Sequence, residues 1–464
     1  MIQATLKRFR HKSNRHVLAH DDFFNKLRSK NYANLDEEGH VYLDYTGGNV
    51  TSKYQIEEHS RFLLNNTLGN PHSSNPTSQL STQLVEEARK KVLSFFNAED
   101  YHCVFTANAS GALKIVGECY PFEESGHFLL FTDNHNSVNG IREYCLNANG
   151  TYDYVPMNVE DLTVAEEALK EKIGDNRAKN KLFAFPAQSN VSGIKHSLEW
   201  IEYAQEFAWD VLLDAAAFAP TSKLDLKKYR PDFVSISFYK IFGYPTGIGC
   251  LLVRKDKFEK LHKRWFAGGT VSLASAKAPY HFLMNNYERY ENGTINYQGI
   301  PALKIGLEFI ESIGMSRLNE RVDGLMSYLF AKLKILRHQN GQPQLAIIGH
   351  PQRENTGGTM VMVFLNPDGS KVQFEKIEEL ANRRKISLRS GCFCNPGLDE
   401  TQNCLTSEEL SNYFESRESG DYYEMMAHLN KMRGATRISV GIATNKQDLD
   451  SYIQFVEELK DQIL

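Results

Sequence analysis

Short apolar runs rich in Val, Ile, Leu and Phe recur through the first part of the chain. They lie at His102–Thr106, His127–Thr132, Lys181–Phe185, Asp210–Asp214, Phe233–Phe238 and Ile248–Val253. Runs of this kind, without polar alternation, are expected of strands buried on both faces. Between them the apolar positions take helical spacing over Gln79–Phe96, Gly111–Cys119, Asn136–Asn147, Val164–Ile173 and Leu198–Phe207. The alternation predicts an α/β fold, a mostly parallel central sheet with helices on both faces. After Pro301 come two long helical stretches, Ala302–Ile313 and Leu318–Leu336. A smaller α+β pattern follows, with strands expected at Leu345–Ile348, Thr359–Phe364 and Arg437–Val440. The break near residue 300 divides the chain into a large domain, 51–299, and a small domain assembled from 1–50 and 300–464.

Composition narrows the class. The 464 residues carry 53 Lys plus Arg against 57 Asp plus Glu, a net charge of −4, which argues against a globally basic nucleic-acid binder. No apolar run approaches the roughly 18 residues of a membrane span; the best, Val211–Pro220 and Thr359–Leu365, are short. Seven cysteines, an odd number in a long chain, do not make a secreted disulfide framework. Met1–His20 lacks the apolar core of a signal peptide. It carries Lys7, Arg8, Arg10, Lys12 and Arg15 and is read as a solvated arm in preference to a targeting segment. The expectation is a cytoplasmic protein with no membrane and no nucleic-acid partner.

In an open parallel sheet, ligands bind beyond the carboxyl ends of the strands. After the first strand comes Ala107-Asn108-Ala109-Ser110-Gly111, small and polar and leading into a helix. The second is followed by Asp133, Asn134 and His135, and the third by Gln188, Ser189 and Asn190. The fourth ends on Asp214, and the fifth leads into Tyr239 and Lys240. Each has a plain reading alone. Ser110 suits a helix cap, His135 a satisfied structural histidine, and Lys240 a surface or anion-binding position. Asp214 is harder to dismiss, because a buried carboxylate is costly without a partner. Together they suit one cofactor, pyridoxal phosphate (PLP). A lysine forms its Schiff base, an Asp keeps its pyridine nitrogen protonated, an imidazole stacks on its ring, and an Asn meets its phenolate oxygen. Backbone amides opening a helix, with serine hydroxyls, cradle its phosphate. Ala216 is small enough to let the ring lie close to the sheet.

The segments Tyr42–Gly48, Gly69–Ser73, Phe105–Lys114, Asn134–Tyr144, Phe185–Gly193, Leu212–Thr221, Asp232–Gly249, Phe266–Thr270, Gly293–Tyr297, Leu388–Gly397 and Arg437–Gly441 resemble, in order and spacing, the class V aminotransferase and cysteine desulfurase family of fold-type I PLP enzymes. Within it the nearest likeness is to the desulfurase domain of molybdenum-cofactor sulfurases, from about Tyr42 to Asp450. The resemblance implies PLP as cofactor and 51–299 as the domain that binds it. Lys240 takes the place of the Schiff-base lysine, Asp214 of the pyridine partner, His135 of the stacking residue and Asn190 of the phenolate contact. Asn108, Ala109 and Ser110 match the phosphate turn, and Ser237 a second phosphate contact. Thr270 matches a residue that reaches the neighbouring subunit's phosphate, so a homodimer is implied. Arg437 matches the arginine that pairs with the substrate carboxylate, and Cys394 the nucleophilic cysteine.

Cys392 and Cys394 lie in a turn or loop marked by Gly391 and Pro396-Gly397, and Arg389 would favour a thiolate if the two lie close. Zinc through Cys392, Cys394 and Cys404 is the rival, disfavoured because a Cys-x-Cys pair lacks the usual spacing and no second pair follows. No metal is expected. The resemblance implies that L-cysteine becomes alanine, its sulfur passing to Cys394 as a persulfide and then to an acceptor. Lys240 would move the α-proton and His135 a proton at sulfur. The alternative is an aminotransferase, or another PLP-dependent lyase or epimerase, acting on a different amino acid. Simpler desulfurases carry Gln and His where this chain has Ala217 and Tyr239, and both changes resemble the sulfurase branch. After Asn395-Pro396-Gly397 stand Leu398 and Asp399, so the branch's usual further cysteine is missing. With no room before Leu464 for a molybdenum-cofactor domain, a separate sulfur acceptor is expected.

Overall fold

The computed structural model describes residues 20–123, 125–349 and 351–464, so the basic stretch Lys7–Arg15 lies outside it. A short strand β1 (Val41–Tyr42) precedes seven strands that form one sheet: β2 (Tyr101–Thr106), β3 (Gly126–Phe131), β4 (Thr151–Val155), β5 (Asn180–Pro186), β6 (Asp210–Asp214), β7 (Phe233–Ser237) and β8 (Gly249–Arg254). Their order is β2-β8-β7-β6-β5-β3-β4. The pleat sends alternate residues to opposite faces. Phe105, Leu129, Phe183, Val211 and Ile236 enter one core, while Val104, Leu130, Leu182, Leu212 and Phe233 enter the other. This double burial is why the strands read as unbroken apolar runs. The sheet is parallel except for β8, which is antiparallel to both β2 and β7. Its first residue, Gly249, therefore sits between the carboxyl ends of those strands, paired with Thr106 and Ser237.

An exposed hairpin follows, β9 (Val271–Ala274) with β10 (His281–Leu283). The remaining strands are β11 (Leu345–Ile348), β12 (Thr359–Phe364), β13 (Ile386–Ser387), β14 (Arg389–Gly391) and β15 (Ala435–Ser439). Of these, β11-β12-β15-β14 form an antiparallel sheet, and β13 pairs in parallel with β1. Helix Pro301–Ile313 packs on helices Lys53–Asn65 and Pro76–Phe95, beside the large sheet. Helix Met315–Leu333 packs instead on Lys446–Glu458, beside the small one. The changeover falls at Gly314, where φ is +86°. One apolar core runs from the large sheet into the small one. Among the described residues no helix is long and apolar enough to cross a membrane.

Several elements depart from expectation for identifiable reasons. Strand β4 is an edge strand whose first four residues alternate exposed and half-buried, so its pattern is not an apolar run. The expected helix Asn136–Asn147 is two pieces, Asn136–Asn139 and Ile141–Asn147, separated at Gly140. The helix expected from Gln79 starts at Pro76, with Asn75 capping the Ser78 N–H. The last strand spans Ala435–Ser439, two residues earlier than Arg437–Val440. Helix Lys53–Asn65, capped by Ser52, and the β9–β10 hairpin had no counterpart in the sequence reading.

Candidate active site

A cavity of about 140 Å³ opens at the carboxyl ends of the large sheet. Asn108, Ala109, Ser110, His135, Asn190, Asp214, Ser237 and Lys240 all border it, joined by Ser137, Gln188 and Tyr239. One end is the start of helix Ala109–Cys119. Asn108 caps it, its side chain accepting from the Gly111 N–H at 3.0 Å, and the Ala109 N–H donates to Ser237 Oγ at 2.9 Å. The Ser110 N–H has no partner among the described residues. Helix dipole, free amide and the two serine hydroxyls make an anion cradle. Gly249 permits it: a Cβ there would stand 2.5 Å from the Ile236 carbonyl oxygen and 2.6 Å from the Asn108 backbone.

At the other end stands Asp214. Its Oδ1 accepts from Ser235 Oγ at 2.8 Å and from the Ala216 N–H at 3.1 Å, while Oδ2 has no protein partner among the described residues. One oxygen is fixed and the other is free to receive a proton-bearing nitrogen. Lys240 rises from helix Phe238–Phe242 directly after β7. Burial pushes its ammonium below the usual lysine value, the positive charges of Arg437 and Arg389 add to this, and Asp214 opposes it. His135 Nδ1 accepts from the Ser137 N–H at 3.1 Å, so the ring is also the cap of helix Asn136–Asn139. An accepting Nδ1 places the ring proton on Nε2. Burial lowers the histidine's proton affinity, and only Asp214 pulls the other way. The free Asp214 oxygen, the lysine amine and the anion cradle fit the three ends of a PLP molecule.

Arg437, on β15, is 3% exposed and does not border the cavity. Its Nη1 donates to the Asn190 carbonyl at 2.8 Å and its Nη2 to Asp44 at 3.0 Å, while Nε is buried without a partner among the described residues. Asp44 also holds Arg389, accepting at 2.7 Å from its Nη2. Asp44 thus joins the two arginines, a role that sequence reading did not assign to it. Gly47 makes room, since a Cβ would fall 2.5 Å from Asp44 Oδ2.

Cys394 is exposed, on a loop where both Phe393 and Cys394 have positive φ, 56° and 55°. The loop is nevertheless fastened to the strand ends. The Cys394 carbonyl accepts from the Asn136 N–H at 2.7 Å. Asn190 Nδ2 donates to the Phe393 carbonyl at 2.8 Å, and Phe393 lies under the Arg437 guanidinium at 4.9 Å. Asn395 Nδ2 donates to Asp133 at 2.7 Å and to Asn190 Oδ1 at 3.1 Å. The Asn190 side chain, expected on a cofactor oxygen, is committed here to the cysteine loop. Cys392 is half-buried, and burial raises its thiol pKa. Thr270 is fully buried away from this cavity, its hydroxyl bonded both ways to Ala267 at 2.9 Å. Among the described residues no cluster of His, Cys, Asp and Glu is arranged to hold a metal ion. The sequence signal that points to Asp133 and Asn395 is their place, the one at a strand end and the other beside the cysteine.

Comparison with known proteins gives the chain's relatives. The chain is 34% identical over 455 residues to the molybdenum cofactor sulfurase of Homo sapiens, covering 93% of this chain and 51% of that protein. It therefore spans about half the length of that relative. The apo cysteine desulfurase of Thermococcus onnurineus NA1 superposes with a TM-score of 0.78 at 23% identity, covering 94% of this chain and 97% of that one. A Lys→Ala variant of C-DES, with glycine covalently linked to its PLP cofactor, superposes with a TM-score of 0.71 at 15% identity over 93% of this chain and 99% of that one. The family model described as aminotransferase class-V matches residues 41–452. That match spans most of the chain, and the chain belongs to the class-V aminotransferase family.

Proposed function

We propose that the protein is a PLP-dependent cysteine desulfurase that passes sulfur from L-cysteine, by way of Cys394, to a separate acceptor. The observation that carries this reading is the attachment of the Cys394 loop to the segment bearing His135, through the 2.7 Å bond from the Asn136 N–H to the Cys394 carbonyl. A transamination site needs no thiol there. The helix start at Asn108–Gly111, with Ser110 and Ser237, would hold the phosphate, Asp214 Oδ2 the pyridine nitrogen and His135 the ring face. Bound there, PLP supplies the electron sink that loosens the Cα proton and the sulfur of an amino acid held on it.

The chain's own groups do the rest. Lys240, where burial disfavours the charged form, would take the Cα proton through its amine. The fixed Asp214 Oδ1 orients the carboxylate, whose Oδ2 would hold the pyridine nitrogen protonated. His135 Nε2–H is positioned to hold or give a proton at sulfur. The Cys394 sulfur would attack the substrate sulfur, forming the persulfide S–S bond as the Cβ–S bond breaks; the bonding pair stays on Cβ, which takes a proton and becomes the methyl group of alanine. An incoming substrate carboxylate would replace Asp44 on Arg437, leaving Asp44 to Arg389. Two relatives' names support the reading, one a cysteine desulfurase and one a molybdenum cofactor sulfurase. A homodimer is part of the proposal. Leu273, Tyr280 and Phe282 on the hairpin are 63%, 73% and 66% exposed, an apolar surface that a second copy would cover. The test is incubation of the PLP-loaded protein with L-cysteine, assaying alanine and protein-bound sulfur. Equal alanine and sulfur on Cys394 is the expected result, and no alanine from the unaltered protein would refute it.

A further inference from the structure

Four hydrogen bonds join the cysteine loop to the strand ends, and one donor makes two of them. Asn395 is 1% exposed, and its single NH2 group spans Asp133 Oδ1 at 2.7 Å and Asn190 Oδ1 at 3.1 Å. Asp133, wholly buried, is itself held on three sides, by Asn395, by Ser189 Oγ at 3.0 Å and by His196 Nε2 at 2.9 Å. Asn395, Asp133, Ser189 and His196 have no part in the chemistry described above. Asp133 is not exposed to the cavity, and its carboxylate is spent on fixing the loop. Just beyond, Gly397 lies against the Thr132 carbonyl, where a Cβ would come within 2.2 Å. The loop thus meets the β3 end closely at two places, Asn395 and Gly397, directly after Cys394. Asn190 supplies the second arm, through the Phe393 carbonyl at 2.8 Å.

We infer that Asn395 and Asp133 are positioning residues for Cys394: their bond latches loop 392–397 onto the strand ends and fixes where the thiol stands. Asn190 makes the latch responsive, because any ligand atom that draws its amide away takes that amide from the Phe393 carbonyl. This inference rests on the proposed function for its meaning but not for its test.

The test uses the full-length, PLP-loaded protein and hydrogen–deuterium exchange at residues 134–140 and 392–398. The Asn136 amide reports directly, since it donates to the Cys394 carbonyl. Asn395→Asp sets two carboxylates against each other. It is expected to speed exchange in both segments about ten- to hundredfold, the value of a hydrogen bond to a charged group. Adding Asp133→Asn restores a donor facing an acceptor and should bring exchange back to within about tenfold of the unaltered protein. Asn190→Ala, which adds no charge, should speed exchange about three- to tenfold. In Asn395→Asp, addition of cysteine should change the cofactor spectrum as before, while sulfur loading of Cys394 falls. Exchange unchanged within twofold in Asn395→Asp, or no recovery in the double variant, would overturn the latch. Absence of alanine from the unaltered protein would instead refute the desulfurase reading and leave the exchange result to stand alone.

Discussion

Replacing Gly249 by Ala adds one methyl group outside the cavity and tests how the anion cradle is built. The added carbon would lie 2.5 Å from the Ile236 carbonyl oxygen on one side and 2.6 Å from the Asn108 Cα and carbonyl carbon on the other. Both neighbours are backbone, so no side chain can swing away. Ile236 is fixed inside the sheet between β6 and β8, whereas Asn108 is an exposed cap at a helix start. The displacement therefore falls on Asn108. Overpacking of this size costs about 1–3 kcal/mol. If that cost is relieved by moving the cradle, the cofactor loses a comparable amount of affinity. At tenfold per 1.4 kcal/mol, the PLP dissociation constant should rise roughly five- to 150-fold. Titration of the apo variant with PLP, followed by visible absorption, measures it directly. The rate of chemistry at saturating PLP should fall much less. A folded Gly249→Ala protein that binds PLP within twofold of the unaltered chain would show that the reasoning about the cradle is wrong.

Three further outcomes are expected. Asp44→Asn removes the charge that neutralises buried Arg437, so stability in urea should fall by up to about 3 kcal/mol. The same change frees Arg437 for a substrate carboxylate, so KM for cysteine should also fall; a raised KM at unchanged kcat would contradict the exchange of partners. His135 has a folded pKa pushed below 6.5 by burial. As pH drops beneath 6.5 the unfolded chain takes up the proton first, so this residue's contribution to stability declines with acidity. Urea midpoints of His135→Gln should therefore vary less between about pH 7.5 and 5.5 than those of the unaltered protein, and an equal or steeper slope would count against the shift. Cys394→Ser should keep PLP and its spectral response to cysteine but carry no protein-bound sulfur at position 394, which peptide mass spectrometry will reveal.

The buried strands were legible because burial on both faces writes itself as an apolar run. Strand β4 was not, since its exposed face carries Thr151 and Asp153 and its pattern resembles a loop. The strand ends were legible as well, because topology alone brings Asn108, His135, Asn190, Asp214 and Lys240 to one rim. What they touch there was a different matter. The Asp44–Arg389 pair joins residues 345 positions apart, and the Asn190–Phe393 bond spans 203. Neither leaves a local pattern. A side chain's commitment to one of two nearby acceptors depends on geometry that spacing cannot supply. Asn190, placed by resemblance on a cofactor oxygen, borders the cavity and also bonds the Phe393 carbonyl, a partner that its sequence position did not announce.

The hydroxyls of Ser110 and Ser137 lie 2.6 Å apart, and Ser137 lies 3.1 Å from His135 Nδ1. These three groups form a wire whose polarity is set from one end. An anion in the cradle claims the Ser110 hydrogen, so the Ser110 oxygen must accept from Ser137. The Ser137 hydroxyl then has no hydrogen left for the imidazole, which is served by the backbone N–H alone. Arrival of a phosphate thereby orders the direction of both hydroxyl bonds, and the Ser137 backbone N–H is left as the one donor that keeps the ring proton on the far nitrogen. A neutral analogue lacking the phosphate would fill the same space and leave that wire unaligned.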